Sequence, residues 1–308
     1  MILSATGISK SYKQTKALDN ISFEVNKGEI FGIIGPDGAG KTTLFRILTT
    51  LILADEGKAS IDGLDIVKDF EEIRLNIGYM PGKFSLYQDL SVEENLNFYA
   101  KVFNTTIEEN YDLVKDIYSQ IEPFKKRRAG ALSGGMKQKL ALCCALIHRP
   151  KVLFLDEPTT GVDPVSRKEL WQMLRRLKEE GISIIVSTPY MDEASLCDRI
   201  AFIQHGVFLD IDTPVNIINR FHGTLWSVSA DNMSRLLQYL RQREEILTVF
   251  AFGDTHHITV KPTSITIQGL IHDMEKEGYQ DIEVNEIKAG IEDCFMAISD
   301  PESAFLMV

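Results

Sequence analysis

The sequence predicts an α/β protein: a mainly parallel sheet covered by helices, interrupted by a helical insertion and followed by a small α+β unit. Three observations carry this. Ile30–Ile34, Val152–Leu155 and Ile182–Ser187 are short, continuous apolar runs rich in β-branched residues, the pattern of strands buried on both faces. From about residue 92 to 147 the rhythm turns helical, in VEENLNFYAKVF, YDLVKDIYSQI and GGMKQKLALCCALI. After about residue 220, TLWSVSA, NMSRLLQYLRQREE, ILTVFAFG, THHITVKP, SITIQGLIHDMEKEG and IEVNEIKAG read as β-α-β-β-α-β, the order of a ferredoxin-like unit. The expected division is therefore a core over 1–220, with its helical subdomain at about 85–147, and a C-terminal extension over 221–308.

A chain of 308 residues, 44% hydrophobic and 25% charged, is long enough for two cores and globular in composition. Its 33 basic against 44 acidic residues, net −11, argue against nucleic acid as a partner, because neutralising phosphates takes clustered cations. The run Lys125–Arg128 reads as a solvated loop. Cys143, Cys144, Cys197 and Cys294 lack metal-ligand spacing, and the adjacent pair lies in the apolar LALCCALI; a reducing, cytoplasmic compartment fits. The N-terminal MILSATGISKSYK has no signal-peptide pattern. No apolar run approaches the roughly twenty residues that cross a bilayer, so work at a membrane would go through a partner.

The chemistry concentrates in three motifs. Gly35, Pro36, Asp37, Gly38, Ala39, Gly40, Lys41 and Thr42, followed by Thr43, match G-x-x-x-x-G-K-[ST] between the strand EIFGII and the helix TTLFRILTTL. Glycines let backbone N–H groups close on phosphates, the helix turns its positive end to the anion, Lys41 reaches the outer phosphates and the Thr42 hydroxyl suits Mg²⁺. This is a nucleotide site. VLFLDEP puts Asp156 and Glu157 at the C-terminal end of a buried strand, where open α/β sheets bind ligands. With a phosphate loop upstream, Asp156 suits the metal and Glu157 the attacking water; a helix-capping turn is the plainer reading of such a pair alone. Leu132, Ser133, Gly134, Gly135, Met136 and Gln138, from LSGGMKQ, open a third element. Either Ser133 is an ordinary N-cap, or the glycines expose a second anion-binding helix end that completes another chain's site.

With GPDGAGKT, LSGGMKQ, LDEPTTGVDP and STPYMDEA in this order, the chain resembles the ATP-binding subunit of an ABC transporter of the drug-exporter, ABC-2 type. The likeness covers about residues 2–220 strongly and the tail, with PVNII and IEDCFMAI, loosely. It implies a P-loop NTPase core, ATP and Mg²⁺ as ligands, a separate transmembrane permease, a second cassette and a place on the inner face of the cell membrane. It also implies that Tyr12 stacks on adenine, where sheet packing is an equal alternative, and that Asp163 lies at the seam between two cassettes.

The chain departs from that pattern at two positions. Gly82 stands where the family's glutamine would contact the metal and the attacking water. Pro189 stands where its histidine would touch the terminal phosphate; proline has no imidazole and no backbone N–H. Gln88, in LYQDLSVEENL, reads as a turn residue rather than a substitute, and Asp37 adds a negative charge beside the phosphates. Binding parts intact and sensors missing give the expectation of an exporter's energy-coupling subunit whose own site turns over poorly, paired with a consensus cassette in a heterodimer. The alternative is a soluble ABC-family ATPase or a regulatory ATP-binding module.

Overall fold

A computed structural model of the chain describes residues 1–301 and 303–307. It divides into two compact units, Met1–Ile211 and Asp212–Val308. The division comes earlier than the 220/221 boundary read from sequence, because the helix Pro214–Asn219 packs with the last helix of the second unit.

The first unit opens with a sheet that the sequence reading did not separate from the core. Strands β1 (Leu3–Tyr12), β2 (Thr15–Val25), β4 (Glu56–Ile61) and β5 (Leu64–Asp65) form an antiparallel sheet in the order β2-β1-β4-β5. In β2 buried and exposed positions alternate from Ile21 to Val25, which is the signature of a sheet with one wet face. The phosphate loop belongs to a second sheet of six strands. It contains β3 (Ile30–Ile34), β6 (Ile77–Met80), β7 (Val152–Asp156), β8 (Ser183–Thr188), β9 (Arg199–Gln204) and β10 (Val207–Asp212), in the order β10-β9-β3-β8-β7-β6. The pairs β9/β3, β3/β8, β8/β7 and β7/β6 are parallel. Every residue of β3, β7 and β8 is buried, as their unbroken apolar runs required.

Helices α1 (Lys41–Leu48), α2 (Phe70–Asn76) and α6 (Pro164–Glu179) belong to this core, whereas α3 (Val92–Val102), α4 (Tyr111–Ile121) and α5 (Gly134–Leu146) make up the insertion. Ser91 caps α3 in a complete capping box with Glu94. The basic run is tied down by its backbone: Val92 and Glu93 donate to the carbonyls of Arg127 and Lys125, and the Lys126, Arg127 and Arg128 side chains face solvent. All four cysteines are buried.

In the second unit, α7 (Pro214–Asn219) precedes β11 (Thr224–Ser229), α8 (Met233–Arg241), β12 (Ile246–Phe252), β13 (Thr255–Val260), α9 (Ile267–Lys276) and β14 (Glu283–Ile287); α10 (Ile291–Ser299) follows. The strand order β12-β13-β11-β14, antiparallel throughout, is the split β-α-β arrangement of a ferredoxin-like unit. Trp226, Val228, Leu236, Leu240, Ile258, Leu270 and Met274 fill its own core. Leu236 is fully buried there, so Leu236→Ala should destabilise this unit by about 2–5 kcal/mol and leave ATP affinity unchanged. Thermal melting followed beside a nucleotide titration checks both; loss of nucleotide binding in a folded variant would contradict the separation.

Candidate functional site

Strands β3, β8 and β7 are neighbours, so their C-terminal ends bring three loops to one place. Ile34 is in register with Thr188, and Asp156 with Ser187. From β3 the chain enters the phosphate loop. A Cβ on Gly35 would lie 2.1 Å from the carbonyl oxygen of Ile203, and one on Gly40, at φ +109°, would lie 2.5 Å from that of Ala17. Only glycine lets the loop pass so close to β9 and β2. Pro36, Asp37 and Gly38 are exposed, and Ala39 is tucked under them.

Gly40 caps α1 with no side-chain acceptor. Among the described residues no acceptor meets the N–H groups of Gly38, Gly40, Lys41, Thr42 and Thr43. Several aligned donors at a helix's positive end form an anion cradle. Lys41 lies beneath it, 3% exposed; its Nζ donates to the carbonyls of Gly35 at 2.8 Å and Pro36 at 3.0 Å and stands 3.2 Å from Glu157 Oε1. A buried ammonium held by a carboxylate and two carbonyls is already placed for phosphate oxygens.

Asp156 is 2% exposed and accepts the Ser187 hydroxyl at 2.7 Å through Oδ1. Its Oδ2 carries no hydrogen bond among the described residues. Burial, and the Asp156 carboxylate nearby, push the Tyr79 phenol up to about 12. Glu157 takes a left-handed backbone, φ 52°, and its N–H donates to both the carbonyl and the hydroxyl of Ser187. Strain of this kind in a non-glycine residue persists where surrounding contacts impose it. One carboxylate and one hydroxyl, Asp156 and Thr42, fit Mg²⁺, which takes few protein ligands and fills the rest with substrate phosphates and water.

The two departures meet this site. A Cβ on Gly82 would lie 3.0 Å from the Asp156 carbonyl oxygen and 3.8 Å from Glu157 Cβ, and the Gly82 backbone is not in the left-handed region. The backbone angle does not require glycine there, but a side chain would crowd the Asp156 carbonyl. Pro189 follows Thr188, whose carbonyl accepts the Gly35 N–H at 3.3 Å. Gln88 stands elsewhere, its carbonyl accepting from Gly130 in the insertion. Tyr12 is 46% exposed at the tip of the β1–β2 hairpin, with Lys10 Nζ 5.9 Å from its ring centre.

Leu132 is buried, whereas Ser133 and Gly134 are exposed at the start of α5. The Ser133 hydroxyl accepts the Met136 N–H at 3.4 Å, and Gln138 Nε2 donates to the Thr160 carbonyl at 3.3 Å. Gly135 approaches the Ser166 hydroxyl. Asp163 caps α6 through the N–H groups of Val165 and Ser166, which hold its carboxyl below the usual range. Sequence reasoning missed Ser187 and Thr188, which join all three loops. The available signal was a pair of hydroxyls closing a buried strand beside the one that ends in Asp156.

A family model described as "ABC transporter" matches residues 18–160. The chain is 36% identical over 301 residues to the probable multidrug ABC transporter ATP-binding protein YbhF of Escherichia coli, covering 96% of this chain and 51% of that one. It is also 32% identical over 305 residues to the Nod factor export ATP-binding protein I of a Rhizobium species, covering 96% of both. The chain belongs to the ATP-binding subunits of ABC transporters. The cassette also resembles the dimeric ATP-binding cassette MJ0796 solved with ADP and Pi: TM-score 0.64, 25% identity, 69% of this chain and 98% of that one. The chain spans about half the length of YbhF.

Proposed function

We propose that this ABC cassette binds MgATP and acts as the energy-coupling subunit of a membrane exporter, with slow turnover at its own site. The observation that carries the reading is the buried Lys41 beneath a cradle of free N–H groups, 3.2 Å from Glu157, which follows Asp156 at the end of β7. Tyr12 stacks on adenine and Lys41 through Thr43 hold the phosphates. Thr42 and Asp156 hold the metal, whose chemistry is to neutralise charge on the phosphates. Glu157 orients the attacking water. Since no glutamine stands at 82 and no histidine at 189, charge stabilisation and positioning are both reduced.

The relatives' names, a multidrug transporter subunit and a Nod factor export subunit, support export over a soluble or regulatory role. No helix of the described residues is long and apolar enough to cross a membrane; in this reading a transmembrane permease carries the substrate and the cassette works at the cytoplasmic face. Its intact Leu132–Gln138 and exposed Asp163 serve a second cassette. A consensus partner is favoured over a second copy, because two copies would carry two impaired sites.

Purifying the native membrane complex and identifying its chains tests this; a complex without a membrane-spanning partner would refute the export role. A sharper test restores the sensors. Gly82→Gln with Pro189→His should raise the lone chain's turnover at least ~10-fold, given that one transition-state hydrogen bond commonly contributes ~10²–10³ in rate. The tight approach of Gly82 to Asp156 limits the gain.

A further inference from the structure

We infer that Glu193 is a positioning residue for ATP turnover, linking the loop after β8 to the turn that carries Asp163. Glu193 is 1% exposed. Its Oε2 accepts two hydroxyls, Thr188 at 2.6 Å and Thr159 at 3.0 Å. Thr188 and Thr159 are themselves fully buried. One carboxylate oxygen thus joins the segment after β8 to the segment after β7. Its Oε1 faces the first turn of α6: Arg167 Nε is 3.5 Å away, and neither atom has a hydrogen-bond partner among the described residues. Arg167 also lies over the Tyr190 ring at 4.2 Å and near Asp192 at 3.5 Å.

The consequences run in both directions from this carboxylate. Thr188 accepts the Tyr190 N–H on its hydroxyl and the Gly35 N–H on its carbonyl, so the grip on Thr188 is also a grip on the phosphate loop. Arg167 donates its backbone N–H to the Asp163 carbonyl, so the residue facing Glu193 sits in the helical turn that Asp163 caps, the turn expected at the cassette seam. Glu193 Oε1 and Arg167 Nε, 3.5 Å apart and each without a hydrogen bond among the described residues, make an ion-pair contact that a small shift of α6 tightens into a hydrogen bond. This link also explains why proline is tolerated at 189. The loop's shape is set by Thr188 and Glu193 on either side, and position 189 donates nothing to it.

The inference rests on the proposed ATPase reading, and its test separates the two. On the full chain, MgATP affinity, steady-state turnover and melting temperature are measured for the parent, Glu193→Gln, Thr188→Val, Thr188→Ser and Glu193→Gln with Arg167→Met. Glu193→Gln should lower turnover ~10- to 100-fold, the scale of loss from a small misplacement, with nucleotide affinity changed by less than about threefold and melting nearly unchanged. Thr188→Ser should recover most of what Thr188→Val loses, and the double variant should be no slower than Glu193→Gln, since both cut one link. Parent-like turnover in Glu193→Gln overturns the inference and leaves the ATPase reading standing. So does a fall in affinity and melting in step with turnover, the mark of a merely structural residue. A parent that does not bind or turn over MgATP overturns both.

Discussion

Lys41→Ala should abolish useful nucleotide binding, raising the dissociation constant for MgATP on the order of a hundredfold, about 3 kcal/mol for the loss of a charge-assisted contact. Lys41 is the buried cation of the phosphate loop, and Glu157 and two loop carbonyls already hold its ammonium. The alanine variant should still fold, because Glu157 is 24% exposed in its side chain and water can replace its partner. Pro189→Ala is the matched control: position 189 has no hydrogen-bonding role, so affinity should change by less than about threefold. Titration calorimetry distinguishes the two; equal affinity for parent and Lys41→Ala would remove the nucleotide assignment.

Ser133→Arg should silence a partner's site while leaving this chain's own ATP affinity intact. The hydroxyl caps α5, and the exposed serine and Gly134 leave the helix's positive end open to another molecule. Arginine removes the cap, at about 1 kcal/mol, and fills the space that an anion would take. In the mixed dimer the loss in rate should be ~10²–10³-fold, the scale of one lost transition-state donor. If the partner is a consensus cassette, as proposed, Glu157→Gln in this chain should cost the mixed dimer little, because the proposal makes the site it serves slow. The reverse pattern, sensitivity to Glu157 and indifference to Ser133, would place the working site on this chain's phosphate loop.

The core was legible where one requirement dominated. Strands β3, β7 and β8 are buried on both faces, so their central positions are almost all apolar, and the phosphate loop needs glycine at 35 and 40 because backbone passes within a Cβ's reach. The antiparallel sheet was not separated out, since β1 carries several partial burials and register shifts that blur a period of two. The last helix was seen only as a loose likeness, IEDCFMAI, because its burial of Ile291, Cys294 and Phe295 follows from packing. Ser187, Thr159, Thr188 and Glu193 were invisible as a group: no spacing rule joins them, and only the parallel register of β7 and β8 brings their segments together. Gly82 and Pro189 were legible as departures, and the structure sets Gly82 beside Asp156 and Pro189 directly after Thr188.

The most direct measurement is the steady-state ATPase rate of the purified full chain without partners, at saturating MgATP. A site with its phosphate cradle, Asp156 and Glu157 in place, but nothing at 82 and proline at 189, should turn over at less than ~0.1 per second, below the ordinary enzymatic range. The rate should rise when a consensus cassette is added. Turnover of roughly 1–100 per second by the lone chain would contradict the account, because neither missing side chain would then have been needed.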